Sequence, residues 1–302
     1  MTEPATRCGF VALVGAPNVG KSTLLNAFVG AKVSIVTPKV QTTRARITGI
    51  RVAGASQLIF VDTPGIFAPK RRLDRAMIEA AWSGAQDADV VVLLVDAVRG
   101  LDRDTRQIVE RLKERNRKVV VALNKTDRVT KQKLLPLAAE LDAGGIAQEI
   151  FMISALNGDG VEDLLGYLAG RMAAGPWLYP EDQISDVPMR LMAAEITREK
   201  LFLALHQELP YALSVETEMW TEIEEEDAVR IDQIIYVAKE GHKPIVLGRG
   251  GQRLKQIGIA ARKELGEILG CTVHLFLHVK VRPNWPDEPA RYREMGLDFP
   301  RQ

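Results

Sequence analysis

The sequence predicts an α/β domain built on a mostly parallel sheet, followed by a smaller α+β domain. Three observations carry this. Through residue 171, short β-branched runs alternate with amphipathic helical stretches, the pattern of parallel strands joined by crossover helices on both faces of a sheet. From 172 to 187 the chain changes character, with Gly175-Pro176-Trp177 and Tyr179-Pro180 before a polar stretch ending near Asp186, which reads as a linker. Beyond it two strands follow each other without a crossover helix. The expected division is 1–171, a linker over 172–187, and 188–302 with a short C-terminal helix.

The first strand, 10–14, runs straight into Gly15-Ala16-Pro17-Asn18-Val19-Gly20-Lys21-Ser22, which fits G-x-x-x-x-G-K-[ST]. A helix over 21–29 follows, with Leu24, Leu25 and Phe28 on one face. In this setting backbone N–H groups from Gly15 to Thr23 wrap a diphosphate, and the helix start adds partial positive charge. Lys21 brings a full charge to the β- and γ-phosphates, and the Ser22 hydroxyl is a Mg²⁺ ligand. Between this helix and the strand 47–53 lies Gln41-Thr42-Thr43-Arg44. It is either a plain exposed loop or a switch that brings a threonine hydroxyl to Mg²⁺ while the γ-phosphate is present, Thr43 first and Thr42 second.

The strand 57–62 ends in Asp62-Thr63-Pro64-Gly65, where the carboxylate can hold Mg²⁺ through water and the Gly65 N–H can sense the γ-phosphate. A helix over 74–86, a strand over 90–95 and a helix over 102–115 come next. The strand 118–123 leads to Asn124-Lys125-Thr126-Asp127. The Asp127 carboxylate can accept the N1–H and N2–H₂ donors of guanine, a pair that adenine lacks. The Lys125 stem covers the base and Asn124 braces the loop. After a helix over 131–142 and a strand over 149–153, the backbone of Ser154-Ala155-Leu156 can reach the guanine O6, before a helix over 161–171. Apart from Gln41 to Arg44, these motifs follow strands, so they meet at one sheet edge, where ligands of such folds bind.

In the second domain the expected order is helix 188–208, strands 211–223 and 229–239, a helix over 251–269 with or without a break, strand 271–281, and a final helix over 287–295. Gly248-Arg249-Gly250-Gly251 forms a G-x-x-G loop. Between 241 and 282 eight basic residues, among them Lys243, Arg249, Arg253 and Lys255, face two acidic ones, a local net of +6 that attracts phosphates. Residues 216–227 carry seven acids and read as a solvated hairpin. His274 and His278 share a strand face. Trp285, between Pro283 and Pro286, is expected to pack rather than stack on a base.

Taken together, Pro17 to Asn26, Gln41 to Arg44, Asp62 to Gly65, Pro180-Glu181-Asp182, Glu195 to Leu201 and Glu208 to Tyr211 resemble the Era-like family of translation-factor-type GTPases, which carry a bacterial-type KH domain. The resemblance spans nearly the whole chain. It implies a P-loop GTPase fold followed by a KH fold, hydrolysis of GTP to GDP with Mg²⁺, and single-stranded RNA held at the glycine loop. The expected RNA is the 3′ end of 16S ribosomal RNA, in the maturing small ribosomal subunit. Lys21, Thr43, Asp62 and Gly65 would serve the chemistry. Asn18 resembles an asparagine that binds K⁺ in relatives; the alternative is that it shapes the loop. Ile66 stands where Ras-like enzymes carry a water-orienting glutamine, so slow intrinsic hydrolysis is expected.

The two cysteines, Cys8 and Cys271, form neither a disulfide framework nor a zinc motif. Residues 1–7 lack the apolar core of a signal peptide, and the apolar run 90–95 is too short to cross a bilayer. A cytoplasmic monomer is expected, without DNA binding; the resemblance allows peripheral contact with the inner membrane. The net charge of +1 confines any RNA attraction to the local patch. The competing roles are a GTPase accessory of tRNA modification, whose catalytic partner domain and C-terminal cysteine motif are missing here, and a membrane-associated signalling GTPase.

Overall fold

The computed structural model describes residues 6–39, 42–44, 47–69, 71–206, 209–283, 285 and 288–300. Gln41, Glu208 and Pro286, to which expectations above refer, lie outside these residues, as do residues 1–5, 287 and 301–302. The chain divides into two units, Met1–Asp186 with Tyr292–Gln302, and Val187–Arg291.

The first unit is built on β1 (Arg7–Val14), β2 (Ile47–Ala53), β3 (Ser56–Asp62), β4 (Val90–Asp96), β5 (Val119–Asn124) and β6 (Ala147–Met152), in the order β2-β3-β1-β4-β5-β6. Pairing is parallel except for β2, which is antiparallel to β3. All seven residues of β3 and all six of β5 are buried, as expected for apolar strands covered on both faces. The helices are α1 (Lys21–Val29), α2 (Arg72–Asp87), α3 (Arg103–Glu114), α4 (Lys131–Ala143) and α5 (Val161–Arg171). In α3 the Asp102 carboxylate caps the start by accepting from the Thr105 N–H at 2.9 Å. Leu13 pairs with Asp62, and Asp96 with Asn124. The register therefore aligns the carboxyl ends of β3, β1, β4 and β5, on either side of the point where the strand order reverses.

Two boundaries differ from expectation. Residues 172–187 are not a free linker up to Asp186. Ala173–Ala174 form a short strand, β7, antiparallel to β1. The buried Gln57 side chain accepts from the N–H groups of Leu178 and Tyr179 and donates to the Tyr179 carbonyl. Further along, Ile50 N–H donates to the Ile184 carbonyl at 2.8 Å. The proline-rich segment is held by backbone groups that periodicity cannot reveal. The C-terminal residues, expected with the second domain, return to the first unit from Tyr292 onward. Tyr292 is fully buried and meets Phe299 edge-on at 4.8 Å, and the Arg72 guanidinium of α2 lies over Phe299.

The second unit holds α6 (Met189–Ala204), β8 (Leu213–Ile223), β9 (Ala228–Val237), α7 (His242–Leu247), α8 (Gln252–Leu269) and β10 (Thr272–Val281). Helix α9 (Pro289–Glu294) crosses the boundary between units. The sheet order is β10-β9-β8, with β9 and β10 parallel and β8 antiparallel to β9. Leu201 of α6, Val246 of α7 and Ile257 of α8 share one core with Leu213, Ile235 and Val279 of the strands, so the three helices cover one sheet face. The helix expected over 188–208 ends at Ala204 and gives way to a 3₁₀ turn over Leu209–Ala212. The helix expected over 251–269 runs without a break as α8, and a short helix not expected from the sequence, α7, precedes it across a glycine-rich turn. The acidic stretch forms the β8–β9 hairpin. Trp285 is buried, and its Nε1 donates to the Ala212 carbonyl at 3.3 Å.

Candidate functional site

At the carboxyl edge of the first sheet lies a cavity of about 560 Å³ lined by Pro17, Asn18, Gly20 to Thr23, Thr42, Thr43, Gly65 and Lys125, among others. Gly20 has φ +103°, and a Cβ there would stand 2.3 Å from the Asn124 Nδ2. Only glycine suits both demands. Lys21 is buried, and its Nζ donates to the carbonyls of Gly15 and Ala16, each at 3.1 Å. Burial pushes its pKa down to about 8, against the opposing pull of the Asp62 charge.

Three hydroxyls converge on one oxygen of the fully buried Asp62. Ser22 Oγ donates to Oδ2 at 2.6 Å, Ser34 Oγ at 3.0 Å and Thr43 Oγ1 at 3.2 Å. Ser22 and Thr43 are themselves 2.9 Å apart. The other oxygen, Oδ1, is buried without a hydrogen-bond partner. Burial raises the pKa of this carboxyl, opposed by Lys21 and the three hydroxyls. A buried carboxylate oxygen left unpaired is unfavourable by about 1–3 kcal/mol or more, and a donor set of hydroxyl and carboxylate oxygens suits a hard divalent cation. The residues therefore fit Mg²⁺. Thr42 is turned elsewhere, with its Oγ1 2.7 Å from Thr37 Oγ1 and 2.8 Å from the Lys39 carbonyl. Thr63 Oγ1 donates to the Leu13 carbonyl, which ties the loop after β3 to β1. Pro64 is buried, and a Cβ on Gly65 would lie 3.0 Å from Pro17 Cα. Ile66 is buried and apolar.

The base side is braced by Asn124. Its Nδ2 donates to the Val19 carbonyl at 2.8 Å, and its Oδ1 accepts from Ala155 N–H at 2.9 Å. Lys125 Nζ donates to the Asn18 carbonyl at 2.6 Å and pairs with Asp96 at 2.7 Å. Asp127 is exposed and accepts from Ser154 Oγ at 2.7 Å. Leu156 is 78% exposed. Asn18 takes φ +63°, and its Nδ2 donates to the Pro38 carbonyl at 2.9 Å.

Sequence reasoning missed several participants. Ser34 sits on Asp62, and Asn26 holds Ser34 in place. Asp96 anchors Lys125. Arg99 lines the cavity, donating to the Pro17 carbonyl at 3.3 Å and pairing with Asp102. Asn26 lay within the quoted signature, but nothing near Ser34 marks it out.

In the second unit Gly248, Gly250 and Gly251 all have positive φ, of 71°, 59° and 76°. A Cβ on Gly248 would approach Arg253 Cβ to 2.7 Å, whereas Gly250 and Gly251 face open space. Lys243, Arg249 and Lys255 are exposed around this turn. Arg253 is half-buried, and its Nη1 donates to the Ile245 carbonyl. The turn thus presents bare backbone in a stretch that carries three exposed cations.

Comparison with known proteins agrees with both halves. Residues 10–125 match the family model described as "50S ribosome-binding GTPase", and residues 208–286 match the KH domain. GTPase Era of Rhizobium meliloti is 60% identical over 98% of this chain and 94% of its own length. GTPase Era of Dinoroseobacter shibae is 60% identical over 99% and 98%. The crystal structure of Era with MgGDPNP and nucleotides 1506–1542 of 16S ribosomal RNA superposes with a TM-score of 0.91 at 40% identity, covering 96% of this chain and 99% of that one. A variant of Aquifex aeolicus Era bound to GDP·AlF₄⁻ superposes equally well, with the same identity and coverage. With 60% identity to two relatives over nearly its full length, the chain belongs to the Era family of GTPases.

Proposed function

We propose that this chain is a GTP-hydrolysing switch that binds single-stranded RNA at its glycine loop. The observation that carries the reading is that Lys21, Ser22 and Thr43 line one cavity while the buried Asp62 accepts from Ser22 and Thr43 behind it, although up to 41 residues separate the four in the chain. Lys21 neutralises the β- and γ-phosphate oxygens, and the backbone from Gly15 to Thr23 encloses the diphosphate. Ser22, Thr43 and Asp62 would hold Mg²⁺, Asp62 through water; when bound, the ion offsets the charge on the β–γ oxygens. Water attacks the γ-phosphorus, the bond to the β–γ bridging oxygen breaks, and GDP and phosphate leave. Asp127 selects guanine, with Lys125 over the base and the Ser154 to Leu156 backbone at O6. The Gly65 N–H senses the γ-phosphate.

Ile66 offers no hydrogen bond to the attacking water. We assign the missing stabilisation to K⁺ bound beside Asn18, where it would neutralise charge much as an arginine finger does. The RNA is the 3′ end of 16S ribosomal RNA. The support is the family membership, a relative captured with that segment, and the basic turn formed by Lys243, Gly248 to Gly251, Arg253 and Lys255. The role is maturation of the small ribosomal subunit by a cytoplasmic monomer, with peripheral contact at the inner membrane. Among the described residues no helix is long and apolar enough to cross a membrane.

Phosphate release with GTP or ATP, in K⁺ or Na⁺ at equal ionic strength, tests the chemistry. The reading expects Mg²⁺-dependent turnover of GTP only, faster in K⁺ by about tenfold, equal to about 1.4 kcal/mol of barrier. Asn18→Ala should remove the difference between the ions. Equal turnover of ATP would overturn the guanine assignment, and equal rates in the two salts would remove K⁺ from the mechanism.

A further inference from the structure

We propose that Asn26 and Ser34 form a fixed relay that orients the Asp62 carboxylate for the metal ion, so that the threonine loop pivots beyond Ser34. The proposal rests on the reading of the cavity as a magnesium–nucleotide site. Asn26 lies on α1, five residues after Lys21. Its Oδ1 accepts from the N–H groups of Val33 and Ser34, both at 2.9 Å, and its Nδ2 donates to the Ser34 carbonyl at 2.8 Å. Three bonds from one side chain to two successive residues clamp this stretch onto the helix that begins at the phosphate loop. Ser34 is 2% exposed, and its Oγ donates to Asp62 Oδ2 at 3.0 Å. An amide on α1 thereby fixes a hydroxyl, and the hydroxyl fixes a carboxylate.

Ser34 differs from the other two donors on that oxygen. Ser22 and Thr43 are expected to ligate the ion, so their positions depend on it. Ser34 has its backbone pinned by Asn26 and is not an expected ligand of the ion. It holds Oδ2, the oxygen that Ser22 and Thr43 also contact, while Oδ1 is buried and has no hydrogen-bond partner. Past Ser34, Thr37 and Thr42 are joined through their hydroxyls, the Pro38 carbonyl accepts from the Asn18 side chain of the phosphate loop, and Thr43 meets Ser22. These contacts beyond the clamp are made within the loop or at the nucleotide cavity. The part that follows the γ-phosphate would therefore start after the clamp.

The test uses the full chain loaded with methylanthraniloyl-GDP and follows its release as Mg²⁺ is raised from excess EDTA to millimolar levels. Loss of one hydrogen bond to a charged group predicts about a tenfold higher Mg²⁺ half-point for Ser34→Ala, with release in EDTA unchanged. Asn26→Ala should give a similar shift, together with faster hydrogen exchange at the Val33 and Ser34 amides. The double variant should shift no further than either single one, because Asn26 acts through Ser34. An unchanged half-point in Ser34→Ala would overturn the relay. Additive shifts, or faster release in EDTA as well, would also overturn it, by showing general loosening. If wild-type release were indifferent to Mg²⁺, the magnesium reading would fall and take the relay with it.

Discussion

Asn124 offers a sharp test of how the two halves of the nucleotide site are joined. Its side chain is buried between the phosphate loop and the loop after β6, bonding the Val19 carbonyl and the Ala155 N–H. Asn124→Ala leaves both backbone groups without this partner in a dry setting. At about 1–3 kcal/mol for each unpaired group, the nucleotide-free protein should lose about 3 kcal/mol of stability. For a unit of this size that lowers the Tm by about 6–12 °C. Gly20→Ala should act on the same pair of loops, because its Cβ would stand 2.3 Å from the Asn124 Nδ2 and its φ of +103° strains alanine besides. The two losses should not add, since in the double variant the clash has no partner; a coupling of about 1–2 kcal/mol is expected. Calorimetry of the nucleotide-free proteins reads this directly. If Asn124→Ala bound GDP weakly yet melted like wild type without nucleotide, the side chain would act on the ligand alone, and the bracing argument would be wrong.

Asp127→Asn should exchange the guanine contact for one that prefers xanthine, so binding of GDP should fall and that of XDP rise; unchanged GDP affinity would refute the role of that carboxylate. Lys21 has its folded pKa lowered to about 8 from an ordinary 10.5. Between those values the unfolded chain holds a proton that the folded one has lost, so this group makes the nucleotide-free protein more stable as pH rises through that window. Phosphates restore the charge, and GDP binding in EDTA at pH 8 should take up about half a proton. Calorimetry in buffers of differing ionisation heat measures this, and proton release would contradict it. Gly250→Asp places a carboxylate in the basic turn at a left-handed position that aspartate tolerates. It should weaken single-stranded RNA binding at least tenfold while GDP affinity holds, and undiminished RNA affinity would move the site elsewhere.

Much of this architecture is legible in the sequence because local and global signals agree. The G-x-x-x-x-G-K-S run sits between an apolar strand and an amphipathic helix, and the motifs at Asp62, Asn124 and Ser154 each follow a strand, so the sheet edge follows from order alone. The second fold is legible from the stop in alternation and the G-x-x-G turn. What escaped depends on groups distant in sequence. The stretch 172–187 has the composition of a linker, yet the Gln57 amide, 121 residues before Leu178, fixes its backbone. The return of the tail rests on Tyr292 and Phe299, two aromatics that no periodicity singles out. Ser34 is one serine among Val33, Ile35 and Val36, and its meaning appears only once β3 delivers Asp62 beside it. Thr43 and Thr42 are adjacent and chemically alike, and the sequence reading puts Thr43 first; the structure turns Thr43 toward Ser22 and Asp62 and Thr42 toward Thr37 and Lys39.

The central claim is that the chain is a GTP-hydrolysing switch that binds RNA, and a switch requires nucleotide state at the first site to change RNA binding at the glycine loop. The most direct measurement is the affinity of the purified chain for a single-stranded RNA of the 16S 3′-terminal sequence, at fixed salt, once with Mg²⁺ and a non-hydrolysable GTP analogue and once with Mg²⁺ and GDP. The account predicts tighter binding with the GTP analogue, and loss of the difference in Thr43→Ala, which cannot complete the ordered loop. Equal affinities in the two nucleotide states would contradict it, leaving a GTPase and an RNA-binding domain that share a chain without a switch.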